Sequence, residues 1–265
     1  MKHKHLLLAV LVTAMWGFNF PITKLGLAEI NPLLLTALRF TLAALPWVFL
    51  VKRPQVAVKW LAAYGLIFGV AMWALINLGI AMGVPPGSAS LLIQFSAFFT
   101  LGWGVLLFRE SLSLPQLISV ALAAMGLVGI IKVSGVREIF AFVVWASLFA
   151  PLPLVLLTWL LDGPQAFIAL PGQLNGVALF SLAFQVYGAT HFCYWGWNLL
   201  LREYPVSRVA PLSLLIPVFG IVSSMLILGE RPGVSQWQAM GLILLALIVG
   251  MKKGRPLWVR QGGHA

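Results

Sequence analysis

His191 lies deep in an apolar stretch of this 265-residue chain, with Tyr187, Tyr194 and Asn198 arranged around it at spacings of four, three and four. On a helix that spacing puts all four on one face. An unperturbed imidazole changes charge between about pH 5 and 8, so a histidine at such depth is a candidate for a proton-sensitive step. The competing reading is a neutral histidine hydrogen-bonded between helices. The other ionisable group inside an apolar stretch is Arg39. Its place near the end of its stretch predicts a head that snorkels to the surface.

Neutral amides form the second group. Trp16-Gly17-Phe18-Asn19-Phe20-Pro21 places a proline just after an asparagine. Proline removes a backbone donor and frees the carbonyl of Gly17, which loosens the helix near Asn19. A buried amide beside a loosened turn suits recognition of a small zwitterion, and it equally suits a bond to a neighbouring helix worth about 1 kcal/mol. Gly87, Ser90, Gln94, Ala97, Leu101 and Gly104 recur at threes and fours. Close helix packing explains most of that stripe, but Gln94 is a full amide near mid-membrane. Trp16, Asn19, Asn77, Gln94, Tyr187, His191 and Tyr194 are therefore the candidate substrate-binding residues. No nucleophile–base pair, phosphate loop or metal-ligand spacing is present in the sequence, so neither catalysis nor a cofactor is expected.

The elements that hold these residues are membrane helices. Hydrophobic residues make up 61% of the chain and charged ones 9%, with a mean hydropathy of +1.01. Only a polytopic helical membrane protein fits that composition; a barrel would show short alternating segments. Nine stretches, roughly 6–23, 33–51, 60–82, 86–108, 115–133, 139–161, 174–200, 208–228 and 234–251, are each long enough to cross about 30 Å of hydrocarbon. Pro211 and Pro217 predict a bend or break in the eighth. The net charge of +11 comes from 17 Lys and Arg that lie almost wholly in loops and tails. That is topology information rather than a nucleic-acid footprint. The single cysteine, Cys193, rules out an internal disulfide. The basic start followed by an apolar run is read as an uncleaved first span that begins in the cytoplasm.

Sliding the chain by 120 positions aligns 85–132 with 205–252 without a gap, matching Pro85 with Pro205, Glu110 with Glu230, Gln116 with Gln236 and Lys132 with Lys252. Repeated halves are how many transporters are built. The expected division is 1–133 with five spans, 134–253 with four, and a basic tail over 254–265. The second half thus lacks a counterpart of the first span. Nine plain crossings would strand Arg202, Arg208, Lys252, Lys253, Arg255 and Arg260 outside, against the positive-inside rule. One change of parity near 133–161 returns them to the cytoplasm. Either the second half is oriented as if one more span preceded it, or 139–161, interrupted by Pro151 and Pro153, enters and leaves on one face.

The stretches AMWGFNFPITKLGL (14–27), NPLLLTALRF (31–40), SASLLIQFSAFFTLGWGVLLFRE (88–110) and RVAPLSLLIPVFGIVSSMLILGER (208–231) resemble the EamA family of the drug/metabolite transporter superfamily. Within it they are most similar to bacterial exporters of cysteine and O-acetylserine. The resemblance implies an all-α fold of two inverted five-helix repeats, with both termini cytoplasmic in a bacterial inner membrane. This chain departs from it by lacking the sixth helix, which in the family lines the central cavity. The resemblance implies a secondary exporter of small amino-acid metabolites working by alternating access. The alternative is a degenerate protein of the same fold that has lost transport. Expected partners are the substrate and the lipid bilayer, with a homodimer left open and nucleic acid excluded.

Overall fold

A computed structural model of the chain describes residues 1–93, 136–204, 206–234, 236–238 and 240–242. Among these the structure is helical, with no strand. Six helices are long and apolar enough to cross a membrane: α1 (His3–Leu27), α2 (Pro32–Leu50), α3 (Val58–Ala81), α4 (Phe140–Asp162), α5 (Gly176–Glu203) and α6 (Pro211–Leu228). The expected span 115–133, and most of 86–108 and 234–251, lie outside the described residues.

Local chemistry sets the helix ends. The Asn31 side chain accepts from the backbone N–H of Leu33 (3.0 Å) and Leu34 (3.3 Å), and Pro32 follows at the first helical position. Asn175 does the same for α5, accepting from Val177 and Ala178 at 3.0 Å. Both amides also reach across to another helix. Asn31 Nδ2 donates to Asp162 at 3.0 Å, and Asn175 Nδ2 to Glu29 at 2.6 Å.

These ties fix the course of the chain. Trp145 donates to the Val51 carbonyl at 3.1 Å, and Asp162 lies beside Asn31, so α4 runs antiparallel to α2 along its length. The segment 140–162 therefore crosses fully, with a turn at 148–150 ahead of Pro151. This excludes entry and exit on one face. At the end of the bundle that holds the chain start, the Lys2 N–H donates to the Tyr204 hydroxyl at 3.0 Å, and His5 Nδ1 lies 2.8 Å from it. Lys2, Lys4, Lys52, Arg53, Lys59, Arg202 and Arg208 all belong to this basic end. The opposite end carries Glu29, Asp162 and Glu230 with Lys24 and Arg231.

The two halves are inverted. The helix that opens at 86 starts at the opposite end, where Gly87 meets Glu230. Its repeat mate, 120 residues on, starts beside Tyr204 at the basic end.

α1 is the central strut. It packs against α6, α5 and the last turns of α3, and it remains helical through Pro21. A Cβ at Gly17 would lie 2.7 Å from Gly220 N and 2.8 Å from the Ile216 carbonyl, so only glycine permits this crossing of α1 and α6. α6 opens in a tight 3-10 turn, Ala210–Leu214, with Pro211 in it, which is the predicted break. Two helices also carry wider π-helical stretches, Leu66–Ala74 in α3 and Phe184–Phe192 in α5.

Candidate functional site

Four helices bring polar side chains to one level of the bundle. Arg39 on α2 is only 1% exposed, and its guanidinium lies 4.0 Å from the centroid of the Trp73 ring on α3. Its Nη2 donates to Thr190 Oγ1 on α5 at 3.2 Å. Arg39 does not snorkel: it sits eight residues into the 19-residue α2, between helices. A flexible side chain reaches the surface only where lipid or water flanks it, and here packed helices surround it.

The neighbours form two fixed chains of hydrogen bonds. Thr36 Oγ1 donates to the Pro32 carbonyl at 2.6 Å and accepts from Asn77 Nδ2 at 2.8 Å. Ser181 Oγ donates to the Ile22 carbonyl of α1 at 2.7 Å and accepts from Gln185 Nε2 at 3.0 Å. Thr190 Oγ1 donates to the Gln185 carbonyl at 2.8 Å. Because Thr36 and Ser181 spend their protons on backbone carbonyls, Asn77 and Gln185 must present their N–H groups to them. Each amide oxygen is thereby left free.

A layer of buried polar atoms remains without a partner: both side-chain heteroatoms of Asn19, Thr23 Oγ1, Arg39 Nε and Nη1, Asn77 Oδ1 and Gln185 Oε1. Buried polar groups are nearly always hydrogen-bonded, so such a concentration needs an explanation. Asn19, Thr23 and Gly26 follow one another at helical spacing on α1, and a Cβ at Gly26 would meet Ser181 and Leu35. Arg39 and Gln185 each lie one turn further along their helices from those two residues. These orphan atoms therefore fall in neighbouring turns at mid-depth, with Asn77, bonded to Thr36 about one turn before Arg39, on the opposite-end side of them.

The structure divides the residues singled out from the sequence. Asn19 and Asn77 are buried in or beside this layer. Trp16 Nε1 donates to the Ala189 carbonyl at 2.9 Å, and its ring packs against Tyr194 (centroids 5.6 Å) on the side toward the basic end. His191 Nε2 donates to the Ala43 carbonyl at 2.9 Å. α2 breaks at 45–46, so that carbonyl loses its intrahelical partner. Trp47, Phe140 and Tyr187 surround the imidazole with centroids 5.3–5.8 Å away. Tyr187 is half exposed. The π-helical stretch spoils the simple 3.6-residue period, and Tyr194 turns to Trp16 and Phe68 instead of His191. Gln94 lies outside the described residues. Among the described residues no cluster of His, Cys, Asp or Glu could hold a metal.

Sequence reading passed over Thr36, Trp73, Ser181, Gln185 and Thr190, and misjudged Arg39. A usable signal was present: Ser181 and Gln185 are four apart in an otherwise apolar run. At the opposite end a cavity of about 210 Å³ is lined by Lys24, Pro85, Pro86, Glu230, Arg231 and Gln236, among others. Gln236 Nε2 donates to Ser88 there, Lys24 Nζ to the Ile80 carbonyl at 3.0 Å, and the Gly87 N–H approaches Glu230 at 3.5 Å. Burial pushes the Glu230 carboxyl above its ordinary value, against the lowering pull of the Gly87 N–H and the Lys24 charge.

Comparison with known proteins bears on this arrangement. Two proteins named probable amino-acid metabolite efflux pump, from Salmonella typhimurium and Escherichia coli, are each 34% identical over 95% of this chain and 96% of their own. An uncharacterized transporter from Archaeoglobus fulgidus is 26% identical over 94% of this chain and 99% of its own. The two 34% alignments run over 286 positions, more than the 265 residues here. Since 95% of this chain is about 252 residues, roughly 34 of those positions hold residues of the relatives that have no counterpart in this chain. No solved structure matches the chain. The family model for EamA-like transporters matches twice, over residues 3–132 and 132–251. Two copies across nearly the whole length identify a multi-pass membrane transporter rather than an enzyme, and the chain belongs to the EamA-like transporter family.

Proposed function

We propose that this protein exports small amino-acid metabolites, of the cysteine and O-acetylserine kind, across a bacterial inner membrane by alternating access between its inverted halves. The observation that carries the reading is the layer of buried, unpartnered polar atoms where α1, α2, α3 and α5 meet. A transporter needs polar groups at mid-depth that await a ligand, and neutral amides with one cation suit a zwitterion. The names of the two relatives at 34% identity support the substrate class. Asn19, Asn77 and Gln94 would face the substrate, Trp16 and Tyr194 would close its basic-end side, and Tyr187 and His191 would stand at its rim. The basic end is taken as cytoplasmic by the positive-inside rule, with both termini there.

Efflux from loaded proteoliposomes tests this. Labelled O-acetylserine should leave vesicles containing the protein faster than empty ones. Cysteines placed at Asn19 or Gln94 in a Cys193→Ser background should react with small aqueous thiol reagents. The second reading, a chain that keeps the fold but has lost transport with its missing crossing, draws on the extra length of those relatives. It requires that no efflux be seen from a folded, monodisperse preparation.

A further inference from the structure

Among the described residues, Arg39 carries a positive charge in mid-bundle with no acidic side chain beside it to balance it. Of the six acidic residues, Glu29, Asp162 and Glu230 are at the opposite end and Glu203 closes α5 at the basic end; Glu110 and Glu138 fall outside every apolar stretch. An unpaired charge at such depth is costly and, where it persists, serves a function. The surroundings satisfy the guanidinium only in part. Trp73 covers a face of the guanidinium and Thr190 takes one N–H of Nη2, while the donors on Nε and Nη1 are bare. A planar fork of N–H groups matches a carboxylate, which it can bind through two parallel hydrogen bonds.

We infer that Arg39 is the station that takes the carboxylate of the exported amino acid, and that the free amide oxygens of Asn77 and Gln185 receive its ammonium group. The inference rests on the exporter reading above and goes beyond it by assigning each end of the zwitterion. The two amide oxygens are held as acceptors because Thr36 and Ser181 already accept from the amide nitrogens. With no carboxylate in the layer, the ammonium meets neutral dipoles only. The site should therefore select on the carboxylate: an α-amino acid enters, its carboxamide does not.

Counterflow into proteoliposomes tests this on the unaltered protein, with labelled O-acetylserine as the tracer and unlabelled O-acetylserine or its carboxamide as competitors. The carboxamide should compete at least tenfold more weakly. Arg39→Lys keeps a charge but loses the fork, and should raise the half-saturating concentration at least tenfold while leaving the melting temperature in detergent nearly unchanged. Equal competition by acid and carboxamide would overturn the assignment and leave the exporter reading intact. Transport by Arg39→Lys with unchanged saturation would overturn it in the same way. If the unaltered protein moves no tracer at all, the exporter reading falls and takes this inference with it.

Discussion

The ends of the bundle and its middle treat polar groups in opposite ways. At the ends most are tied off, Gln173 Oε1 and Trp47 Nε1 being exceptions: Asn31 to Asp162, Asn175 to Glu29, Lys24 to the Ile80 carbonyl, Gln236 to Ser88, and Lys2 and His5 to Tyr204. In the middle, Asn19, Thr23, Arg39, Asn77 and Gln185 all keep atoms without partners. Water could satisfy the ends unaided, whereas the middle has only protein around it. The ends hold the helices to one another, and the middle is shaped for something that is not part of the chain.

The contrast can be broken most severely at the crossing beneath it. Gly17→Val would drive two methyl groups into the backbone of α6, where a single Cβ already lies 2.7 Å from Gly220 N. Backbone cannot step aside as a side chain can, so we expect a cost at or above the usual 1–3 kcal/mol of overpacking. Little folded protein should then survive detergent extraction, as read by size-exclusion chromatography.

Asn19→Leu tests the middle directly. Replacing an unsatisfied buried amide by an apolar side chain of similar size removes a penalty of about 1–3 kcal/mol. Melting in detergent should rise by a few degrees while transport is lost. A lower melting temperature would mean that Asn19 has a structural partner.

Asn31→Ala tests the ends. It removes the cap of α2 and the tie to Asp162, a loss of about 1–2 kcal/mol, and transport by the folded fraction should persist.

The smallest effect is at Glu230. Its carboxyl binds a proton more tightly folded than unfolded, so folding stability falls as pH rises from about 4.3, the ordinary glutamate value, through the raised one. Glu230→Gln should flatten that slope in melting measured against pH.

Sequence made some of this legible and concealed the rest for definite reasons. Helix positions followed from hydropathy, since α4 and α5 begin and end within about three residues of the apolar runs. The Lys and Arg count called for one parity change, and the residues that would decide it, 94–135, lie outside those described. Depth was harder to read. An apolar run records length along the chain but not which neighbours close around a side chain, so Arg39 read as a snorkelling residue. The face containing His191 was read only in part: Tyr187 packs on the imidazole, but Tyr194 turns away because the spacing assumed 3.6 residues per turn. A π-helical stretch arises from packing and leaves no periodic mark of its own. Thr36, Ser181 and Thr190 escaped notice because an isolated hydroxyl in a membrane helix usually bonds its own backbone, as Thr158 does here.

The π-helical stretch Phe184–Phe192 gives α5 a built-in ratchet tooth. A wide turn stores one surplus residue, and expelling it would restore ordinary winding while advancing everything beyond it by about 100°, the angle of one residue at 3.6 per turn. Gln185, at the start of the stretch, would stay with Ser181. Thr190 would leave Arg39 and His191 would leave Ala43 in the same movement. One click of register could thus let go of the guanidinium and unfasten α2 from α5 together, without bending either helix.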